Sequence, residues 1–338
     1  MNTKIIKIDP KNIDMGILKE AGQMIREGKL VAFPTETVYG LGADALNDDA
    51  VAKIFKAKGR PYNDPLIVHI CCLADVNRFV DDIPGIAINL GRYFWPGPLT
   101  LIMKRSKAIS DFVTSGLDTV AIRIPSHPVA QVLIQEAQRP IAAPSANLFT
   151  HTSPTSAKHV IDDLQGKIDM IIDSGEATIG VESTIVDVTE LPLKVLRLGG
   201  ITFEKLKEVT PEIIIANEDD HLKKAPGMFK KHYSPKAKMI VVEEKNDEMV
   251  TSVLRLASNF RDLGSRVGII ASKENAKKYF GFQVKVLGEA RDLETCARNL
   301  YAQMRILDDL QCDIIVSENF ENRGLGRAIM DRLHRASG

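Results

Sequence analysis

Hydrophobic and polar residues are spaced along this chain in blocks that alternate between helical and extended periodicity. Apolar residues over 13–25 recur at helical spacing, and the apolar run 30–33 predicts a buried strand. Asn47 or Asp48 can cap a following helix, which Gly59 is suited to end. Further strands are predicted over 66–70, 99–103, 120–124, 170–173, 183–188 and 195–198.

A helix start is predicted at Ser153-Pro154, because an N-cap residue followed by proline is typical of a first turn; this helix would run to about Leu164. Beyond residue 238 the alternation becomes regular. The strands predicted there are 239–242, 266–271, 284–287 and 313–316, and the helices are 247–263, one ending near 280, 293–310 and one starting near 324. Such alternation predicts a parallel, doubly wound sheet of about 100 residues.

The periodicity weakens between these two halves, around 205–238. The segment 223–238 holds six lysines and no acidic residue, together with two prolines and a glycine, which is typical of a linker. We therefore predict a domain over 1–205, a basic linker over 206–237 and a C-terminal domain over 238–338. We hypothesise that the linker folds over a binding site as a lid.

Composition narrows the class of protein. The 338 residues fit two domains, and the 44 basic and 44 acidic side chains cancel, which argues against broad electrostatic capture of nucleic acid or anionic membrane. No apolar run reaches the roughly 18 residues that span a bilayer, and the start does not resemble a signal peptide. Four cysteines, with Cys71 and Cys72 adjacent, predict reduced thiols, so a cytoplasmic location is expected.

Several sequence motifs of common functional sites are absent or lack the structural context that they require. Gly40–Ala45 matches G-x-G-x-x-A, but no strand directly precedes it and no helix directly follows, so a dinucleotide site is not predicted. The chain contains no phosphate-binding G-x-x-x-x-G-K loop, no G-x-S-x-G and no H-E-x-x-H. Because the seven histidines are scattered, no metal held tightly by protein ligands is expected.

Cations at special positions are the first candidates for chemistry. Lys58 and Arg60 flank Gly59 where the chain leaves a helix, and we predict that both are functional cations. Arg123 and Arg197 lie inside apolar strands, where an unpaired charge costs several kcal/mol. Each of these two arginines must therefore meet either an internal carboxylate or a bound anion.

Small polar groups at strand ends are the second set of candidates. Ser145 follows the buried run 141–143, and Ser183 begins the predicted strand 183–188; each is either an ordinary turn residue or a ligand contact. His69 is either a satisfied core histidine or a site residue. Cations and hydroxyls without a nucleophile–base pair suit binding of a polyanion and stabilisation of charge on phosphate.

Six motifs stand in the order seen in the threonylcarbamoyl-AMP synthases of the YrdC/YciO type, which this chain resembles over nearly its whole length. The motifs are FPTETVYGLGA at 33–43, KAKGRP at 56–61, PLIVH at 65–69, WPGPLT at 95–100, PIAAPSAN at 140–147 and GVESTI at 180–185. The segment 225–235 and the ending 324–333 resemble those of the longer, two-domain members.

The resemblance implies a twisted open α/β sheet with a large central cavity, plus a smaller, doubly wound Rossmann-like C-terminal domain. It implies an enzyme that forms L-threonylcarbamoyl-adenylate from L-threonine, bicarbonate or CO2, and ATP with Mg2+, releasing pyrophosphate. A downstream transferase then modifies adenosine in tRNA, so the implied class is a nucleotidyltransferase of tRNA modification.

Carried over residue by residue, the resemblance implies two groups of contacts. Around threonine it implies Thr37, His69, Arg123, Ala143 and Ser183. Around ATP it implies Arg60, Asp64, Thr119, Ser145, Ser153, Arg197 and His232. Lys58 is an additional phosphate-facing cation, and Lys58 with Arg60 is predicted to be catalytic. The family usually reads Asp-Asn where this chain has Asn63-Asp64, and an acid at 64 fits ribose or Mg2+.

Two other functions stay open at this point. The site could hold RNA through phosphate contacts alone, a weak RNA contact that the linker lysines favour and the zero net charge disfavours. A carbamoyl transferase of the hydrogenase-maturation type could use the same sheet. Those proteins carry extra cysteine-rich segments, which this chain lacks.

Overall fold

The computed structural model of the chain contains two compact units. The described residues are 2–217, 231–244 and 246–338. Among them, the first unit comprises 2–149, Pro154–Thr178 and 182–217, and the second comprises Thr150–Ser153, Ile179–Val181 and the residues from 231 onward. The second unit therefore takes two short segments from the sequence of the first.

The predicted linker spans both units and a part outside the described residues. Residues 206–217 belong to the first unit and 231–237 to the second, whereas 218–230 lie outside the described residues. The lysines at 223, 224 and 230 fall in that part, and so does most of the predicted lid. The lid hypothesis and the exact domain boundaries therefore stay predictions.

One large mixed sheet organises the first unit. Its strands are β1 (Lys4–Lys7), β2 (Val31–Phe33), β3 (Gly40–Asp44), β4 (Ile67–His69), β5 (Leu99–Lys104), β6 (Thr119–Arg123), β7 (Ile141–Ala142), β8 (Met170–Asp173), β9 (Thr184–Asp187), β10 (Lys194–Arg197) and β11 (Ile214–Ile215). Their order is β1-β8-β2-β3-β7-β4-β6-β5-β9-β10-β11. Strands β4 and β6 are parallel, β5 runs antiparallel to β6, and β9 is parallel to β5.

Helices surround this sheet, and the periodicity predicted those near 13–25, 47–59 and 153–164. They are α1 (Met15–Arg26), α2 (Asp48–Lys58), α3 (Gly85–Phe94), α4 (Asp111–Thr114), α5 (Pro128–Ala137), α6 (Ala157–Leu164) and α7 (Phe203–Val209), with a 3-10 helix at Leu73–Arg78. The Asn47 side chain caps α2 by accepting from the amide of Ala50, and Gly59 ends it in the left-handed conformation. Both ends of α2 are as predicted.

The predicted helix start at Ser153-Pro154 is wrong. Helix α6 begins at Ala157, after Ser156. Pro154 instead supplies a carbonyl that accepts from the amide of Tyr39 at 2.8 Å, and the next carbonyl, of Thr155, accepts from Ala177 at 2.8 Å. Backbone pairing with distant residues therefore keeps this stretch extended, although its local sequence suits a first helical turn.

The two faces of the central strands bury different groups. On β6, Val120 and Ile122 point into the main hydrophobic core. Ala121 points the other way and joins a small apolar cluster from neighbouring strands: Ile67, Ile102, Ala121, Ile185, Leu196 and Ala216. Thr119 and Arg123 share the face of Ala121, because side chains alternate along a strand. We call this side the polar face of the first sheet.

A parallel four-stranded sheet organises the second unit. Its order is β12 (Lys238–Val241), β15 (Ile314–Ser317), β13 (Val267–Ala271) and β14 (Gln283–Val286). Its helices are α8 (Asn246–Asp262), α9 (Leu293–Asp309) and α10 (Gly326–Ser337), with a 3-10 helix at Ala276–Tyr279. The predicted α/β class, a large sheet with a smaller parallel C-terminal one, is confirmed. Within the described residues, no helix combines the length and apolar character that crossing a bilayer demands.

Candidate active site

The strand register brings distant polar residues side by side on the polar face. His69 at the end of β4 lies beside Arg123 at the end of β6, and Arg123 lies beside Thr100 of β5. All three are buried. Because these positions are directly paired, one row of imidazole, guanidinium and hydroxyl groups crosses three strands.

Arg123 is held by a carboxylate that sequence reasoning did not select. Its Nη2 donates to Glu36 Oε1 at 2.7 Å, and its Nε donates to the carbonyl of Gly97 at 3.4 Å. The second oxygen of Glu36 accepts from the amide of Ser126 at 3.1 Å. Of the two alternatives for Arg123, the structure therefore shows the internal salt bridge, between side chains that are only 5% and 8% exposed.

His69 is a buried imidazole that stays neutral at physiological pH. Burial and the neighbouring charge of Arg123 lower the pKa of His69 to about 3. Its Nδ1 has no hydrogen-bond partner among the described residues, and the ring meets the edge of Phe33 with centroids 6.4 Å apart. A buried ring nitrogen without a partner is unusual for a core histidine, and the predicted contact of His69 with threonine stays a prediction.

Ser183 links the row to a second arginine. Its hydroxyl shares a hydrogen bond of 2.7 Å with Thr100 and accepts from Arg197 Nη2 at 3.1 Å. Arg197 Nε also donates to the Ser183 carbonyl at 3.1 Å. A Cβ placed on Gly199 would lie only 2.3 Å from the carbonyl oxygen of Glu182, so only glycine lets the chain after β10 pass this close to Ser183.

Two further residues predicted around threonine lie on neighbouring segments. Thr37 is fully buried, and its hydroxyl shares a hydrogen bond of 2.8 Å with Thr35 in the loop that also carries Glu36. The amide of Ala143 donates to the carbonyl of Ile67 at 3.0 Å, just beyond β7. The loop therefore connects Thr37 to Arg123 through Glu36.

Arg60, Asp64 and Thr119 lie toward the other end of the same strands. Arg60 Nη2 contacts Asp64 Oδ2 at 2.8 Å and donates to the carbonyl of Pro65 at 2.8 Å, and both charged side chains are buried. Since Ile67 pairs with Ala121 in a parallel ladder, Pro65 and Thr119 share the amino ends of β4 and β6. Arg60 and Thr119 therefore lie opposite the row of His69 and Arg123.

Lys58 contacts backbone carbonyls rather than open space. Its ammonium donates to the carbonyl oxygens of Ser145 at 2.5 Å and Asn147 at 2.6 Å. Burial, and then the charge of Arg60, lower the pKa of Lys58 well below its usual 10.5. The structure thus places Lys58 behind the 145–147 loop, where it fixes the position of Ser145, and its predicted catalytic role stays a prediction.

Ser153 and His232, both predicted to contact ATP, belong to the second unit. Both are buried. The amide of His232 donates to the carbonyl of Arg335 at 3.1 Å, and its ring lies 4.1 Å from that of Tyr233. Their predicted contacts with ATP stay predictions.

Sequence reasoning missed Glu36 and Thr100 as members of the site. Both lie within motifs that carried the family resemblance, 33–43 and 95–100, so position within those motifs was the available signal. Among the described residues, the group of side chains close enough to hold a metal is Cys71, Cys72 and Asp75, whose ligand atoms lie within 4.8 Å of one another. The two carboxylates of the site, Glu36 and Asp64, each contact a guanidinium instead.

Comparison with known proteins identifies both parts of the chain. Residues 23–199 match the Sua5/YciO/YrdC family model, described as telomere recombination, and residues 201–338 match the model for the threonylcarbamoyl-AMP synthase C-terminal domain. Threonylcarbamoyl-AMP synthases of Pyrococcus abyssi and Bacillus subtilis are 46% and 43% identical, each over 95% of this chain and 94% and 93% of their own length.

A solved structure agrees with these matches. The crystal structure of P. abyssi Sua5 complexed with L-threonine is 45% identical, with a TM-score of 0.94 over 99% of this chain and 98% of that one. The resemblance, the enzyme class and the function that the motifs implied are thereby confirmed. With both domain models matched and full-length relatives above 40% identity, this chain belongs to the threonylcarbamoyl-AMP synthase family.

Proposed function

We propose that this enzyme makes its threonylcarbamoyl-AMP on the polar face of the first sheet, with threonine at one end of β6 and ATP toward the other. The observation that carries the proposal is the register of β4, β6 and β5, which sets His69, Arg123 and Thr100 side by side. Thr119 and Arg60 lie at the opposite end. The polar residues thus fall into two groups, one for threonine and one for ATP.

Threonine has complementary partners at the His69 end. A guanidinium carries five N–H donors, so Arg123 retains donors for a carboxylate after its bonds to Glu36 and Gly97. The hydroxyls of Thr37, Thr100 and Ser183 are small partners for the polar atoms of an amino acid. The P. abyssi protein crystallised with L-threonine supports threonine as a ligand, and the position at the His69 end rests on these side chains.

ATP would extend from this row along β6. Thr119 lies four positions before Arg123, a distance of about 13 Å at the usual rise of a strand. The side chain between them on this face is that of Ala121, which is small enough to leave room for an extended adenylate. Arg197, bonded to Ser183, would lie where the threonine end meets the phosphates.

The proposed reaction needs no enzyme nucleophile. The threonine amine adds to CO2 and loses a proton, giving a carbamate. A carbamate oxygen then bonds to the α-phosphorus while the bond from that phosphorus to the bridging oxygen breaks, and pyrophosphate leaves. When bicarbonate is the source, one water is also released.

The residues contribute by positioning and charge. Because His69 is neutral at physiological pH, it would contact threonine as an uncharged hydrogen-bonding group. The guanidinium groups of Arg60 and Arg197 would offset negative charge that develops on the phosphates, which is the main form of catalysis available at phosphoryl centres. Lys58 would hold Ser145 in place for the nucleotide.

Mg2+ fits this site as a cation that arrives on the triphosphate. Glu36 and Asp64 are each bound to an arginine, so neither carboxylate is placed as a dedicated metal ligand. When bound with ATP, Mg2+ would neutralise charge on the leaving pyrophosphate.

The product is a reactive mixed anhydride, so a second enzyme must consume it. We assign that step to a tRNA threonylcarbamoyl transferase and place both reactions in the cytoplasm, where ATP, bicarbonate and tRNA are present together.

Mass spectrometry of a reaction with ATP, bicarbonate, Mg2+ and a mixture of amino acids tests the proposal directly. The expected product is threonylcarbamoyl-AMP, formed with one pyrophosphate and dependent on bicarbonate. Pyrophosphate release in Arg60→Ala should fall at least tenfold, about 1.4 kcal/mol of transition-state stabilisation. Arg92→Ala, at an exposed position on α3, is the matched control.

A double variant separates chemistry from folding. Arg60→Ala alone leaves the buried carboxylate of Asp64 without the guanidinium beside it, so Arg60→Ala with Asp64→Asn should restore folding but not turnover. Full turnover in that double variant would contradict the role of Arg60.

A further inference from the structure

The second unit contains a cavity of about 900 Å3 that the reaction above does not use. It lies at the carboxyl ends of the parallel strands, lined by Glu243 after β12, Asn275 after β13, and Asn319 and Phe320 after β15. Its volume falls within the range of about 300–1,000 Å3 that is typical of small-molecule sites. We call it the crevice of the second unit.

The topology of the sheet explains why a crevice forms there. Helix α8 packs on one face, where Val253 and Ala257 join the cluster around Ile269. Helix α9 packs on the other face. Its Leu307 lies so close to Gly268 that a Cβ on this glycine would be 2.7 Å from the leucine side chain. Helix α10 packs against α9 and β12. Neighbouring strands β12 and β15 thus send their following helices to opposite faces, the arrangement at which open α/β sheets bind ligands.

The charges around the crevice favour an anion at one end. The crevice is lined by three carboxylates that already contact basic groups: Glu243 with His334 at 3.0 Å, Glu321 with Arg323 at 2.8 Å, and Asp331 with Arg335 at 3.0 Å. Lys278, in contrast, donates to the neutral amide oxygen of Asn275 at 2.9 Å, and no described carboxylate lies within ion-pair distance of it. Its positive charge therefore remains available to a ligand.

The first turn of α10 adds to this positive end. Arg327 of that turn lines the crevice. A Cβ on Gly326 would lie 1.8 Å from the carbonyl oxygen of Glu321, so a glycine is required for the loop from β15 to fold back onto the helix start. Arg327 belongs to the first turn of this 12-residue helix, so the partial positive charge of the helix start lies beside the crevice that Arg327 lines.

The remaining lining suits a flat ring and its sugar. Met249, Phe320 and Met330 offer thioether and aromatic surface, which packs well against a planar base. The side-chain amides of Asn275 and Asn322 can bond ring edges or hydroxyl groups. Apolar surface, amides and a cationic end occur together in one crevice.

We propose that the crevice of the second unit binds a mononucleotide, with its phosphate at Lys278 and Arg327 and its base against Met249, Phe320 and Met330. The site is separate from the ATP position on the first sheet and does not depend on it. Side-chain cations and a helix start replace the glycine-rich phosphate loop that the sequence lacks.

Hydrogen–deuterium exchange of the full chain tests this proposal, because it reports where a ligand binds. AMP, adenosine and inorganic phosphate serve as separate probes. AMP should slow exchange in peptides covering 318–331, whatever it does in the first unit. Lys278→Gln should raise the AMP concentration needed for half-maximal protection of these peptides about tenfold, as expected for one lost charge-assisted hydrogen bond.

A neighbouring residue provides the matched control. Lys277→Gln changes the same charge in the same 3-10 helix but does not line the crevice, and both lysines are exposed, so neither variant should disturb folding. Lys277→Gln should leave the titration unchanged.

Three results would each overturn the proposal. One is AMP protection confined to the first unit, and another is equal titration midpoints for Lys278→Gln and Lys277→Gln. The third is protection of 318–331 by phosphate alone, or by adenosine alone, as strong as that by AMP, since a mononucleotide site must recognise both parts.

Discussion

Glu36→Gln tests whether the buried ion pair between Glu36 and Arg123 stabilises the site. The change preserves size and leaves one amide oxygen to accept a hydrogen bond. It removes the negative charge that lies 2.7 Å from Arg123 Nη2. Since Arg123 is 4% exposed, its charge cannot turn to water without a rearrangement of β6. We therefore expect a substantial loss of stability in the first unit.

The magnitude follows from the burial of both partners. Breaking a buried pair by removing one charge costs about 3–5 kcal/mol, and we expect the lower value because glutamine retains one hydrogen bond. For a unit of this size each kcal/mol corresponds to about 2–4 °C in Tm, so Tm should fall by about 6–12 °C. The matched control is Glu20→Gln, which breaks the exposed Lys4–Glu20 pair and should cost at most about 1 kcal/mol.

The chain provides its own probe for this measurement. Its single tryptophan, Trp95, lies in the first unit, where its indole donates to the carbonyl of Leu99 at 2.7 Å. Thermal unfolding followed by tryptophan fluorescence therefore reports the first unit selectively. Saturating L-threonine should raise Tm more in Glu36→Gln than in the unchanged chain, since its carboxylate would then supply the missing anion for Arg123.

Either of two outcomes would refute this reasoning. If Glu36→Gln and Glu20→Gln shift Tm equally, the buried pair does not support the unit. If threonine stabilises both chains to the same extent, its carboxylate does not lie at Arg123.

Three other predictions concern single residues. His69 ring resonances should stay constant in NMR from pH 8 to 5. The pKa of His69 is about 3 in the folded chain and near 6.5 in the unfolded chain. The neutral ring therefore contributes fully to the free energy of unfolding above pH 6.5, and this contribution falls as the pH drops toward 3. His69→Gln should remove that part of the pH dependence of unfolding. Gly199→Ala should raise the KM for threonine at least fivefold by displacing Ser183, while Gly85→Ala, with no neighbour within 4 Å, should leave kinetics unchanged. If Lys58 only positions the 145–147 loop, Lys58→Met should raise the KM for ATP by a larger factor than it lowers kcat, both measured in a pyrophosphate-release assay.

Local signals predicted local structure well. Helix α2 could be bounded at both ends because its cap, Asn47, and its terminating Gly59 act through the backbone within a few residues. Most strands were found for a similar reason, since apolar runs between turn residues must be buried. The start of α6 was misplaced because pairing of Pro154 with Tyr39 depends on residues more than 100 positions apart.

The partners of the charged site residues could not be predicted in this way. Glu36 and Arg123 are 87 positions apart, so no spacing rule connects them. Asp64 was expected to face ribose or Mg2+, yet the structure also pairs it with Arg60 four residues earlier. The family resemblance selected Arg123, Arg60 and Asp64, whereas only the geometry shows that each arginine contacts a buried carboxylate.

Interleaving of the two units in the sequence affects how the protein can be dissected. Within the second unit, Arg305 donates to the Thr152 carbonyl at 2.6 Å, and the amide of Ser234 donates to the Thr150 carbonyl at 2.8 Å. A single cut near residue 205 would strip these partners from the C-terminal fragment and leave them attached to the other piece. Inactivity of a truncated chain would therefore report two damaged fragments, and point substitutions are the sounder way to assign a role to either half.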